Sequence, residues 1–352
     1  MYKAQNLEEL GFLKHLIITS AYKDQESFTP YLTFVDEKGN PKDWLFDSFL
    51  FVTGVKSKRA LIADINVGTT MSGEGDFHAK PVQNPANKED WKEVIEHYIH
   101  SAKTLSLEIE QLNKKIGPPP FKRNLVITQP YPGILQNNFG ELNGKHLDFS
   151  SKNQTLNNAS KDRLKACLWF QEEFLIQWNN ACIQNLNLLG FYWPFETVYR
   201  GWEVDDHWVL KEQKKSLNAK GLKVFWIPFF ATYNTHLLDN YEDYYFDCAF
   251  YQPNYLFYKN IKGVGDCALE AKKRNAGFEM EYYMSLDEPT QTGKERHSRF
   301  RDYLNGGIEY GYIHAACAWF IGGGIHGMLK DQTERGFYQD IYHFVKGDYT
   351  KK

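Results

Sequence analysis

Residues Leu186–Glu196 read LNLLGFYWPFE. An apolar and aromatic run, of the residue types that suit a pleated and half-buried surface, extends to Trp193 and is stopped by Pro194. The pattern predicts a strand that delivers an acidic residue, Glu196, just past its end. The next two segments fix the kind of strand. Asp205–Ala219 is a polar, lysine-rich helical segment closed by Gly221, and Lys223–Pro228 is the next short apolar run. Strand, helix and strand in that order mean parallel pairing through a right-handed crossover.

The same unit recurs on both sides. Eight strand-like runs appear in order: Leu16–Ser20, Phe49–Thr53, Leu125–Thr128, Leu186–Trp193, Lys223–Pro228, Phe246–Gln252, Ala276–Tyr282 and Tyr312–Phe320. Helical patterns separate most of them. Asn87–Ile116 is a long helix with Asn87 as N-cap, Glu89 and Asp90 in its first turn and Gly117-Pro118 as its stop. Lys161–Asn185 carries an apolar stripe through Leu164, Leu168, Leu175, Trp178 and Cys182. Lys262–Asn275, Lys294–Asn305 and Lys330–Val345 complete the outer layer, whereas 31–42 is too short and turn-rich for a full helix.

Eight such units predict an α/β fold, a single (β/α)8 TIM barrel spanning 1–352, with an elaborated β2–β3 region and residues 64–86 as a long rim loop. The competing architecture is an open doubly wound sheet. It more often places a glycine-rich phosphate loop after the first strand, and here that strand runs into Ser20-Ala21-Tyr22-Lys23-Asp24.

Composition narrows the function. The chain has 352 residues and 41 basic against 44 acidic side chains, a net charge of −3. There is no basic excess to neutralise phosphates, so nucleic acid is not an expected partner. No apolar run reaches the roughly 20 residues of a membrane-spanning helix. Five cysteines, with no C-x-x-C pair, support neither a zinc ribbon nor a redox motif. No metal or organic cofactor is expected. His97 and His100 stand three apart on a helix, but nothing acidic completes a metal site there. The N-terminus lacks the apolar core of a signal peptide, so the chain as written is expected in the cytoplasm, and exported if a leader has been trimmed.

In this barrel, chemistry sits at the C-terminal ends of the strands. Glu196 arrives there behind the aromatic wall of Tyr192 and Trp193, which raises its pKa toward that of a general acid. The plainer expectation is a loop glutamate paired with Arg200. The seventh run, Gly277-Phe278-Glu279-Met280-Glu281-Tyr282, alternates. Phe278 and Met280 face the helices, so Glu279 and Glu281 point into the barrel, with Glu281 nearer the mouth and Glu279 one layer deeper. Carboxylates from strands four and seven suit glycoside hydrolysis: Glu196 as acid/base, Glu281 as nucleophile, and Glu279 as the alternative nucleophile. Gln252 and Asn254 share the parity of Phe250 and offer amides to sugar hydroxyls. Tyr192, Trp193, Trp226, Tyr131 and Tyr255 are the candidate aromatic contacts.

Several of these segments together are similar to one family. Gly190–Glu196, Trp226-Ile227-Pro228-Phe229, Phe246–Tyr255 and Gly277–Glu281 occur in the order found in a bacterial family catalogued as domain of unknown function number 4855, and Trp44–Phe51 resembles it too. The resemblance implies a glycosidase-like barrel from carbohydrate-degrading bacteria, with many members exported, and supplies no substrate. The expectation is therefore a glycosidase acting with retention on an oligo- or polysaccharide. Its rivals are an inverting hydrolase and a non-catalytic carbohydrate-binding barrel. The sugar, the linkage and the oligomeric state are not readable from the sequence.

Overall fold

The structure, a computed structural model, describes residues 1–21, 26–53, 69–71, 79–81, 85–232, 235–258, 261–284 and 291–352. Eight parallel strands close into a barrel: β1 (His15–Ala21), β2 (Ser48–Thr53), β3 (Arg123–Thr128), β4 (Leu186–Trp193), β5 (Lys223–Trp226), β6 (Cys248–Tyr251), β7 (Gly277–Tyr283) and β8 (Cys317–Gly322). Each pairs with the next in the chain, and β1 closes the ring on β8 with His15 opposite Cys317. All eight expected runs are barrel strands. The fifth stops at Trp226, and the eighth begins at Cys317 because Tyr312–His314 forms a 3-10 turn.

Among the described residues, six long helices cover the barrel: α1 (Lys88–Ile116), α2 (Leu156–Ala181), α3 (Asp206–Asn218), α4 (Val264–Lys273), α5 (Gln291–Glu309) and α6 (Gln332–Lys346). Asn87 caps α1 as expected: its side chain accepts from the amides of Glu89 and Asp90, and Asp90 reaches back to the Asn87 amide. The described residues of the first crossover form no long helix. A single turn, Thr29–Leu32, leads into an antiparallel pair, Thr33–Val35 with Pro41–Trp44, and Glu108 of α1 pins its start through Ser27, the Phe28 amide and Thr29. Of the expected 64–86 rim loop, 69–71 and 79–81 form an antiparallel pair; the rest, apart from 85–86, lies outside the described residues. A third antiparallel pair, Gly140–Leu142 with Lys145–Leu147, is an addition to the expected elements.

Strand alternation divides the apolar residues into two cores. Leu16, Leu50, Val126, Leu189, Phe225 and Phe250 fill the barrel. Phe49, Ile127, Phe191, Trp226, Met280 and Trp319 pack the helix side, and each buried ring there contributes roughly 2–3 kcal/mol. Leu10 and Leu13, from the segment before β1, join the inner core and plug the barrel's N-terminal end.

One irregularity decides which side chains of β4 reach the interior. The register on β3 shifts between Leu188 and Gly190. The bulge resets the alternation: Leu189 and Tyr192 face in, while Phe191 and Trp193 face out. Gly190 is required because a Cβ there would sit 1.9 Å from the Lys223 carbonyl oxygen.

Candidate active site

A cavity of about 410 Å³ opens at the C-terminal ends of the strands. Its polar lining is Glu196, Glu279, Gln252 and Thr128. Ile18, Leu50, Ile227 and Phe320 form apolar walls, with Tyr192 and Phe257 as rings.

Strand β7 supplies two carboxylates from one face. Phe278 and Met280 pack with the helix-side core, so Glu279 and Glu281 turn inward. Glu279 lies level with Ala318, one layer below Glu281, which is level with Phe320. The two have different surroundings. Glu281 is 0% exposed and does not line the cavity. It accepts from the Tyr303 hydroxyl, from the Gln252 amide at 3.3 Å and from the Asn254 backbone amide. Glu279 is 3% exposed, lines the cavity and has no partner for Oε2 among the described residues. Burial raises the pKa of both. The negative neighbours Glu281 and Glu196 push Glu279 higher still, while donors offset part of the rise at Glu281.

Glu196 stands on the loop beyond β4. Burial pushes its carboxyl up to about 7, against a smaller lowering by Gln252. No ion pair with Arg200 forms among the described residues; Arg200 is exposed and bridges Asp205 by its backbone. The loop is anchored from below by a buried cluster. Asp206 accepts from the Tyr199 amide at 3.2 Å, from the Tyr131 hydroxyl at 3.1 and 3.2 Å, and from Arg163, whose Nε also holds the Pro132 carbonyl at 2.7 Å. The loops after β3 and β4 are thereby tied to one ion pair.

The Gln252 amide lies between two of the carboxylates. Its oxygen side is 3.1 and 3.2 Å from the Glu196 oxygens, and its nitrogen side is 3.3 Å from Glu281. Glu196 and Glu281 are thus one amide and two hydrogen bonds apart, an upper limit of about 9 Å. That ceiling admits both the retaining separation of about 5–5.5 Å and the inverting one of about 6.5–9.5 Å. Tyr192 completes the group: burial, then Glu279 and Glu196, raise its hydroxyl.

The structure therefore brings together Glu196, Glu279, Glu281, Tyr192, Gln252 and Asn254. Four expected contacts are corrected. Trp226 is buried on the helix side, stacked on Phe246, with its indole N–H on the Phe195 carbonyl at 2.7 Å. Trp193 turns outward because of the Gly190 bulge. Tyr131 is committed to Asp206. Tyr255 hydrogen-bonds Asp302 at 3.0 Å, carries Arg299 over its ring and lies outside the cavity. Three further residues lie outside the individual candidates of the sequence, although Phe257 falls in the aromatic cluster Tyr251–Tyr258, expected to line a site. Tyr303 sits on the apolar stripe of α5 with Phe300 and Leu304, and its only sequence signal is that a buried tyrosine needs a polar partner. Phe257 lines the cavity from the loop after β6. Trp202, 96% exposed, rides a turn closed by Gly201 N–H on the Val204 carbonyl, in the loop that carries Glu196.

No helix among the described residues is long and apolar enough to cross a membrane. The family described as domain of unknown function DUF4855 matches residues 18–345, nearly the whole barrel, and the chain belongs to that family. No curated protein matches the chain.

Proposed function

We propose that this member of the DUF4855 family hydrolyses a glycosidic bond in an oligo- or polysaccharide, with Glu196 as acid/base and Glu279 as nucleophile. The observation that carries the reading is that the buried Glu279 and the half-buried Glu196 line one cavity at the C-terminal ends of the barrel strands, with Glu196 poised near neutral pH. With Glu279 ionised and Glu196 protonated, Glu196 donates its proton to the leaving oxygen while a Glu279 oxygen bonds to the anomeric carbon and the glycosidic C–O bond breaks. Glu196 then takes a proton from water, whose oxygen displaces Glu279. Glu279 is preferred over Glu281 because it lines the cavity, where an anomeric carbon can reach it, whereas Glu281 is shut behind Gln252 and Tyr303; it attacks in its ionised form, so turnover requires that its raised carboxyl has first given up its proton. Direct attack by a cavity-lining carboxylate favours retention.

The test is turnover on a panel of polysaccharides and aryl glycosides. Glu196→Gln and Glu279→Gln should each lower kcat by about a thousandfold or more with the fold intact. Binding without turnover by the unaltered protein across the panel would favour a carbohydrate-binding barrel. Near-normal turnover in both variants would overturn the assignment.

A further inference from the structure

Two carboxyls, Glu196 and Glu281, meet at one side chain, Gln252, and that side chain is neutral. The Gln252 amide has a donor end and an acceptor end, and its two orientations make opposite demands. In one, the nitrogen donates to Glu281 at 3.3 Å and to Asn254 Oδ1 at 3.1 Å, and the oxygen faces both oxygens of Glu196. An amide oxygen facing a carboxylate is stable only if the carboxyl carries a proton and donates it. In the other orientation, Asn254 turns as well, the nitrogen donates to Glu196 at 3.1 and 3.2 Å, and the oxygen falls opposite Glu281. Now Glu281 must carry the proton.

We propose that Gln252 is a positioning residue that makes the ionised states of Glu196 and Glu281 mutually exclusive, so that an ionised Glu281 pins the amide and holds Glu196 in its acid form. The inference rests on the hydrolase reading only for the use made of that acid; the coupling itself is a property of the free protein. It gives Glu281 a task that its complete burial allows. Tyr303 and the Asn254 backbone amide donate to Glu281 from behind and offset part of the rise that burial imposes, so either carboxyl can be the ionised one. Tyr192 on β4, Glu279 on β7, Cys267 on α4 and Tyr303 on α5 are the other titratable groups facing this cluster. None of them reproduces the coupling, because none contacts both carboxyls.

The test needs no substrate. The protein is labelled with glutamate carrying ¹³C at the side-chain carboxyl, and the Glu196 resonance is identified by its loss in Glu196→Gln. Its midpoint is then followed with pH in four proteins: unaltered, Glu281→Gln, Gln252→Met and the double variant. With Gln252 present, Glu281→Gln frees the amide to donate to Glu196, and the Glu196 midpoint should fall by about one pH unit. In the Gln252→Met background the same substitution should leave the midpoint nearly unmoved. Gln252→Asn, which keeps an amide but shortens its reach, gives the same comparison should the methionine variant fold poorly. An equal shift in both backgrounds means that charge acting through space suffices, and overturns the proposal; so does no shift with Gln252 in place. Either result leaves the hydrolase reading standing, and absence of turnover on sugars leaves the coupling standing.

Discussion

Glu279 and Glu281 project from the same face of β7, yet only Glu279 reaches the cavity, and it does so with an oxygen that meets no donor among the described residues. Glu281, two residues on, is held by Tyr303, Gln252 and Asn254. One strand thus presents a bare carboxylate and a buttressed one, and their kinetic roles should separate accordingly. Glu279→Gln should abolish the chemical step. Glu281→Gln should lower kcat about 10- to 100-fold and displace the pH profile, since it acts through Glu196. Steady-state kinetics across pH distinguish the two; equal losses with unshifted profiles would contradict the division.

The fold should lose stability on the alkaline side. Glu196 titrates near 7 in the folded chain against an ordinary 4.5, and Glu279 and Glu281 are raised in the same direction by burial. A carboxyl with a raised folded pKa favours the native state fully below the unfolded value, and that contribution is lost as pH climbs through the folded value. For Glu196 the swing is roughly 3 kcal/mol. His15 works in the opposite window. Burial pushes it down to about 3, so its contribution is present above the unfolded value of 6.5 and is lost as pH falls. Tm should therefore decline from about pH 6 toward pH 9, and Glu279→Gln should flatten that decline and raise Tm at pH 8. A Tm that rises with pH over this range would contradict the burial assigned to the three carboxyls.

The Asp206 cluster is a long-range support for Glu196. Asp206→Ala leaves Arg163 buried without its carboxylate and should destabilise the fold by about 3–5 kcal/mol, read as a lower midpoint in urea. Activity should fall further than stability explains, because the loops after β3 and β4 lose their common anchor. Normal activity in the surviving folded fraction would show that the loop positions Glu196 unaided.

Trp202 offers a broad indole face on the loop that ends the β4 unit. Trp202→Ala should raise KM for a polysaccharide several-fold and leave kcat/KM for a small aryl glycoside unchanged, because only a chain that extends beyond the cavity can stack there. Equal effects on both substrates would remove it from the binding surface.

Much of this fold is legible in the sequence because each strand announces itself between helical patterns and because barrel strands are too short to read otherwise. The alternation at Phe278–Tyr282 places Glu279 and Glu281 on the inner face correctly. The same rule misleads at β4. Nothing in GFYW reveals that the register slips at Gly190, and that slip sends Trp193 outward and Tyr192 in. Trp226 fails for a different reason: both faces of a barrel strand are buried, so an apolar ring gives no clue to its side. Tyr131 is drawn away by Asp206, 75 residues distant, and by Arg163, partners that no local pattern links to it. The preference for Glu279 over Glu281 depends on Tyr303, which arrives from α5.

The nucleophile can be trapped and located. Peptides are mapped by mass spectrometry after the protein is mixed with 2-deoxy-2-fluoro glycosides matched to whichever panel member it turns over. One glycosyl ester is expected, carried on Glu279 and absent from Glu279→Gln. A label on Glu281, or no label together with a product of inverted anomeric configuration, would contradict the assignment of Glu279 as the attacking group.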